Sequence, residues 1–426
     1  MHAKNSARVF AVAGLLISAT ALAGCTTPFD AGGDPNALTV MALDGGEDNA
    51  VLDEIVSAYE AQSDGVTVEV TYVPEETYVT KLQTAMLADS PDVANTYNTG
   101  LMFDFLPLNE TVYDANGLSI DDYNAALPSF CGWKGTVYCV GTSVGNMVLF
   151  YNTALFDAAG VDYPSTTTPL TFDEFAELAS QLTQPGADEE STVWGAGAAT
   201  LMAYLDPANV LDETGRIVEA TKPEFVDTVE TLAGMVQAGD MPSVSQAEAL
   251  GGSDGPMTLF LEGKMAMYVG DNYAISPAEA AGIEFGLAPT PVVAGFEPWV
   301  VTWTNSFGIP KDAKNPEVAA DFLAFMAAEG QDIQAKAGYM PMATAAAEAW
   351  ATTDVRKQLF EVTGLVRPSV FNPNQWAWNA PLVDAYEAAL RGEPVLPLME
   401  AAEPNAQQAN EVTWENFDQV VAAVGG

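Results

Sequence analysis

The chain has 426 residues and a formal net charge of −44, from 14 Lys and Arg against 58 Asp and Glu. Such an excess of acid excludes nucleic acid as a partner, because binding it requires basic residues that displace counterions; it also disfavours phosphorylated or strongly anionic ligands. Hydrophobic residues make up 49%, enough to bury a large core over roughly two to three domains' worth of chain.

Lys4 and Arg8 precede or flank an uncharged apolar run over 9–23. A basic start and an apolar stretch of about 15 residues have the form of a secretory signal, and a spanning helix needs about 20. Leu22-Ala23-Gly24-Cys25 closes the run. A cysteine directly after small residues resembles the bacterial lipobox, which implies a signal peptide over 1–24 and lipidation (palmitate among the acyl groups) at Cys25. Two or more acyl chains anchor a protein stably. Residues 26–35 (TTPFDAGGDP) are small, polar and rich in Gly and Pro, so 25–36 is expected to be a lipidated flexible tether. The mature chain then stands at the extracytoplasmic face of the bacterial cell membrane, held by lipid alone. Loss of Lys4 and Arg8 leaves it at −46, a charge that suits solubility.

From residue 38 onward strands and helices alternate. Residues 38–42 are a short apolar strand, and Leu52, Ile55, Val56 and Tyr59 recur at helical spacing. Val66, Val68, Val70 and Tyr72 alternate with polar residues as a half-buried strand. A helix over 77–88 and a strand entered at Asp92 follow, and this alternation predicts parallel sheets covered by helices, an α/β class. Cys131 and Cys139 flank the turn at Lys134-Gly135; outside the cytoplasm such a pair oxidises, clamping a hairpin. Thr171-Phe172-Asp173-Glu174 is a capping box with Phe175, Leu178 and Leu182 facing inward. Thr221 is expected to cap a second helix that ends at Gly239. Asn315-Pro316 opens a third, with Phe322, Leu323 and Met326 buried and its exit at Gly330. The last hundred or so residues predict helices broken at Pro368, Pro373, Pro381 and Pro394.

Three blocks of sequence carry a resemblance. The first runs from Gly135-Thr136-Val137-Tyr138 through Leu149-Phe150-Tyr151-Asn152 to Pro169-Leu170-Thr171-Phe172. The second is Phe260-Leu261-Glu262-Gly263-Lys264-Met265-Ala266-Met267 followed by Gly270. The third is Ser306-Phe307-Gly308-Ile309-Pro310-Lys311, with Gly338-Tyr339-Met340-Pro341 after it. Together, in this order over about 38–400, they resemble the extracellular solute-binding proteins of ATP-binding-cassette importers, the maltose-binding-protein type. The resemblance implies a two-lobed clamp, each lobe a mainly parallel sheet flanked by helices. Lobe 1 would comprise 37–146 plus 305–340, and lobe 2 147–304 plus 341–426. Crossings are implied near 144–148, 303–307 and 340–344, with ligand in the cleft between lobes. It further implies a monomer that hands a carbohydrate to transmembrane permease subunits, with no cofactor.

Catalysis has little to work with. The one histidine, His2, lies in the signal, so the mature chain has no imidazole base and no histidine metal ligand. Among so many acids, a carboxylate pair carries no information about hydrolysis. Sugar binding asks instead for aromatic faces with carboxylates and amides at their edges. FEPWVVTWTN and FNPNQWAWN place Trp299, Trp303, Trp376 and Trp378 in loop-like segments beside the implied cleft. In the loop after the second block, Asp271-Asn272-Tyr273, the family's usual tryptophan position holds Asn272, which shifts stacking toward Tyr273. Asp44, Glu47 and Asp48 follow the first strand, where Asp48 suits a helix cap equally well; Tyr97, Asn98 and Asn146 complete the candidates. Trp133 belongs with the hairpin, and Trp194, Trp350 and Trp414 with packing. The competing functions are capture of a cationic solute such as a polyamine, and a cell-surface carbohydrate-active enzyme.

Overall fold

The computed structural model describes residues 36–45, 47–96, 99–198, 210–293, 302–365 and 370–424. Cys25 and the segment before it lie outside the described residues. The first apolar run forms β1 (Ala37–Leu43), with Leu38, Val40, Met41 and Ala42 buried. It pairs in parallel with β2 (Thr67–Val73) and β3 (Val93–Asn95), through crossover helices Glu47–Gln62 and Glu75–Ala88. Asp92 locks this unit to a distant helix. It is 1% exposed, and its carboxylate accepts from Thr39 N (3.0 Å), Thr39 Oγ1 (2.9 Å) and Asn315 N (2.7 Å). A buried carboxylate persists only when satisfied in this way.

The hairpin β4 (Gly132–Trp133) and β5 (Thr136–Val137) turns at Lys134 and Gly135, whose φ values of 48° and 85° are both positive, as a two-residue turn of this hand requires. The expected disulfide closes it, with Cys131 and Cys139 5.8 Å apart at Cα. β6 (Val140–Asn152) follows after two residues and is the longest strand described. Then come β7 (Trp194–Ala198), β8 (Met265–Asp271), β9 (Phe285–Ala288) and β10 (Thr302–Gly308). The strand order is β2-β1-β3-β10-β6-β8-β7, with β9 also on β6. β7 and β8 are parallel, like β1 to β3, whereas β6 and β10 pair antiparallel to their neighbours. The α/β sheet is thus parallel toward its two ends and antiparallel where the chain crosses between them.

Along β6 the side chains alternate between two cores. Val148 and Phe150 join the core that holds β1, β3 and helices Glu47–Gln62, Pro316–Ala327 and Glu329–Ala337. Leu149 and Tyr151 join a second core, built on helices Phe172–Leu182, Pro223–Ala238, Gln375–Leu390 and Val395–Val424. The Thr171–Glu174 capping box is present, and Phe175, Ala179 and Leu182 are buried beneath it.

Four local expectations fail for identifiable reasons. Thr221 is not the cap of helix Pro223–Ala238; Lys222 precedes that helix, and Thr221 donates its N–H (2.9 Å) and hydroxyl (3.0 Å) to Glu403 Oε2. The helix from Pro316 breaks at Ala328, and Gly330 lies inside the next helix. Pro381 sits within helix Gln375–Leu390 and Pro404 within Val395–Val424. Pro381 removes a main-chain hydrogen bond, yet the helix continues because Trp378, Leu382, Ala385 and Tyr386 are buried on either side of it. The FNPNQWAWN segment is accordingly helical from Gln375 instead of an irregular loop, and Trp378, 1% exposed, is core. Trp194, Trp350 and Trp414 are buried as expected.

Candidate functional site at the strand crossing

Three extended segments lie side by side where the chain passes between the two parallel ends of the sheet. β10 pairs with β6 from Thr302↔Asn146 to Phe307↔Val140, and Pro341 bridges Ser143 on a third pass. Val144 N donates to Met340 O (2.9 Å) and Met342 N to Thr142 O (3.3 Å). The carboxyl ends of β1 and β3 approach this crossing from one side and that of β8 from the other.

Asn146, 0% exposed, is the knot of the crossing. Its Nδ2 donates to Thr363 Oγ1 (2.7 Å), its Oδ1 accepts from Thr302 Oγ1 (2.9 Å), and its main-chain N–H donates to Asn272 Oδ1 (2.8 Å). Asn272 Nδ2 in turn donates to Val144 O (3.4 Å). Both amides are therefore engaged inside the protein, and Asn272, where the resemblance places an aromatic, ties the loop after β8 to β6. On the other side, Asn95 Nδ2 donates to Asn305 Oδ1 (2.6 Å) and Ser306 O (3.1 Å), while its Oδ1 accepts from Leu43 N (2.7 Å). A cavity of about 10 Å³ beneath the crossing, bordered by Thr142, Ser143, Asn305 and Gln334, has room for about one water.

Above this polar joint stands an aromatic group drawn from all three parts. Tyr273, after β8, lies 6.3 Å from Trp303 on β10 and 5.6 Å from Tyr339 on the third pass, centroid to centroid. All three rings are half-buried. Trp303 lies flat across Gly145, where a Cβ would collide with the indole, so only glycine at 145 admits this ring. Asp271 accepts from Tyr273 N (2.9 Å) and caps the turn that presents the tyrosine. Burial pushes the Asp271 carboxyl above its ordinary range, and the charge of Asp254 adds to that. Aromatic faces beside a partly desolvated carboxylate can stack on apolar ring faces and accept hydroxyl or ammonium protons.

Of the other candidates, Asp44 is exposed after β1, its Oδ1 accepting from Asn49 Nδ2 (2.7 Å). Glu47 and Asp48 begin helix Glu47–Gln62, and Trp376 lies in the first turn of Gln375–Leu390; their side chains lie outside the described residues, as do Tyr97, Asn98 and Trp299 entirely. Tyr339 was absent from the sequence-derived candidates, although it stands in the Gly338-Tyr339-Met340-Pro341 block; an aromatic beside a glycine at an implied crossing was the available signal.

The model of the bacterial extracellular solute-binding protein family matches residues 54–358. Among solved structures, an ABC substrate-binding protein from Listeria monocytogenes in complex with cycloalternan is 21% identical, with a TM-score of 0.74 over 88% of this chain and 99% of its own. The cyclic alpha-maltosyl-1,6-maltose binding protein of Arthrobacter globiformis is 22% identical, with a TM-score of 0.69 over 89% of this chain and 100% of its own. The maltose/maltodextrin-binding domain from Bdellovibrio bacteriovorus, bound to maltotriose, is 20% identical, with a TM-score of 0.66 over 89% and 100%. No curated protein matches this chain in sequence. With a two-lobed α/β fold and a family match over most of its length, the chain belongs to the bacterial extracellular solute-binding proteins.

Proposed function

We propose that this protein captures a carbohydrate, of oligosaccharide size, between lobes 37–146 plus 305–340 and 147–304 plus 341–426, and delivers it to an ATP-binding-cassette permease without chemical change. The observation that carries this reading is the meeting of Tyr273, Trp303 and Tyr339, from three separate segments, with Asp271 at their side. Sugars offer C–H faces for such rings and hydroxyls for such a carboxylate. The sugar complexes among the structural neighbours support the same ligand class. Asp44, across the crossing at the end of β1, would meet the ligand from the other lobe, and Trp376 and Trp299 are proposed contacts on sequence grounds. Asn146 and Asn272 hold the joint, and Trp378 holds the core. The β6–β10 pairing and the pass at 340–342 act as hinge, and lobe closure buries the sugar. The lipid at Cys25 keeps the protein beside its permease.

Calorimetry against maltose, maltotriose and longer oligosaccharides, with spermidine and putrescine in parallel, tests this reading. Sugar binding is expected, and Trp303→Ala or Tyr273→Ala should weaken it by about 2 kcal/mol or more, some thirtyfold. Binding of polyamines with none of sugars would overturn the carbohydrate assignment.

Asp271→Asn separates binding from stability. A carboxyl whose folded pKa is raised stabilises the fold while protonated and loses that contribution as pH rises through the folded value. The amide still accepts from Tyr273 N without carrying the charge. The variant should therefore melt higher than the parent at pH 7, with the gap closing near pH 4 and below, and bind sugar more weakly. Equal melting of the two proteins across that pH range would refute the burial argument.

For the anchor, Cys25→Ser expressed in a bacterial host should appear in the soluble extracytoplasmic fraction while the parent stays with membranes. A variant as firmly membrane-bound as the parent would contradict lipidation at this position.

A further inference from the structure

β6 and β10 do not pair evenly along their length. The register steps from Asn305↔Ser143 to Ser306↔Gly141, so Thr142 is an extra residue on β6 with none opposite it. Such a bulge interrupts the ladder locally and bends the strand. Thr142 itself is satisfied close by. Its hydroxyl donates to Asn305 O (2.9 Å), and its carbonyl accepts from Met342 N (3.3 Å). The cavity of about 10 Å³ lies at this bulge, and helix Glu329–Ala337 brings Gln334 to its wall.

Three residues on that wall have polar groups the protein leaves unanswered. Ser143 and Gln334 are 4% and 7% exposed, yet neither side chain hydrogen-bonds to any described residue. Asn305 uses only its oxygen. Asn95 Oδ1 accepts from Leu43 N (2.7 Å), so Asn95 turns its Nδ2 to Asn305, which answers with Oδ1 (2.6 Å) and has Nδ2 left over. Gln331, one turn earlier on the same helix, shows the contrast. Its Nε2 donates to Gly141 O (3.1 Å) and Met326 O (3.0 Å), and its Oε1 accepts from Ala343 N (3.0 Å). Buried polar groups without partners are costly, and three residues at one void call for a shared partner. The void is the size of one water and excludes any organic ligand. No acid borders it, and Asn305 offers it N–H groups, which suits water and not a cation.

We propose that this cavity is a binding site for one ordered water, which bridges Ser143 on β6, Asn305 on β10 and Gln334 on helix Glu329–Ala337. Water can both donate and accept, and a buried water makes about three hydrogen bonds, the number of partners present here. It supplies what the bulge withholds from the ladder and pins the helix to the strand crossing. The site is independent of whichever ligand meets the Tyr273 group, and its test uses none. A crystal structure of the ligand-free mature chain at about 1.5 Å should show a single peak in the cavity, about 2.6–3.2 Å from Ser143 Oγ, Asn305 Nδ2 and the Gln334 amide. A dry cavity would overturn the proposal, as would contacts of about 2.4 Å to oxygens alone, the mark of a cation. Gln334→Met gives a second arm through the sign of its effect. Where a water bridges, the variant strips it of one partner and should melt lower than the parent by about 2 °C or more. Where the site is dry, the same change removes an unsatisfied amide and raises the melting temperature. A folded Gln334→Met protein that melts at or above the parent would therefore also overturn the proposal. Failure of every sugar to bind would sink the carbohydrate reading and leave both of these results standing.

Discussion

The Asn146 amide carries the joint where β6, β10 and the loop after β8 meet. Its side chain reaches Thr302 on β10 and Thr363 beyond the third pass, and its main chain holds Asn272 after β8. With no exposed surface, this residue leaves those polar groups few alternatives to one another, and a buried group left unsatisfied costs about 1–3 kcal/mol. The consequence is directional. Lateral slippage of β6 against β10 would break several hydrogen bonds together, whereas a twist along the strands can preserve them. The loop that presents Tyr273 and Asp271 hangs from the same joint through Asn272.

Much of the fold is legible in the chain because its signals are local. The apolar run of β1, the Thr171–Glu174 capping box and the Lys134-Gly135 turn between two cysteines each need only neighbours within a few residues. What escaped is non-local. Thr221 reads as a cap until Glu403, far along the chain, takes its hydroxyl. Pro381 reads as a breaker until the buried turns around it outweigh the lost hydrogen bond. Trp378 sits in what reads as a loop because its core partners come from other helices.

The candidate site was legible in kind more than in residue. Aromatic and acidic side chains near the crossings pointed to Tyr273, Trp303 and Asp271, and the structure brings these together. Asn146 and Asn272 have the right chemistry for a sugar, yet both amides are engaged in the joint. No local pattern distinguishes an amide that binds ligand from one that binds the protein. Tyr339 joins the group only through contacts with Tyr273, distant in the chain, and no local pattern carries that.

Capture between the lobes at this crossing is tested most directly by a distance across it. Leu87, 91% exposed, and Ile217, 53% exposed, lie on opposite sides of the crossing and can carry spin labels through Leu87→Cys and Ile217→Cys in a chain beginning at residue 26. Pulsed electron resonance would compare the label separation with and without saturating maltotriose or the tightest-binding sugar of the calorimetric panel. A distribution that moves to shorter distances with sugar is the expected result; an unchanged distribution with the sugar demonstrably bound would contradict closure on the ligand.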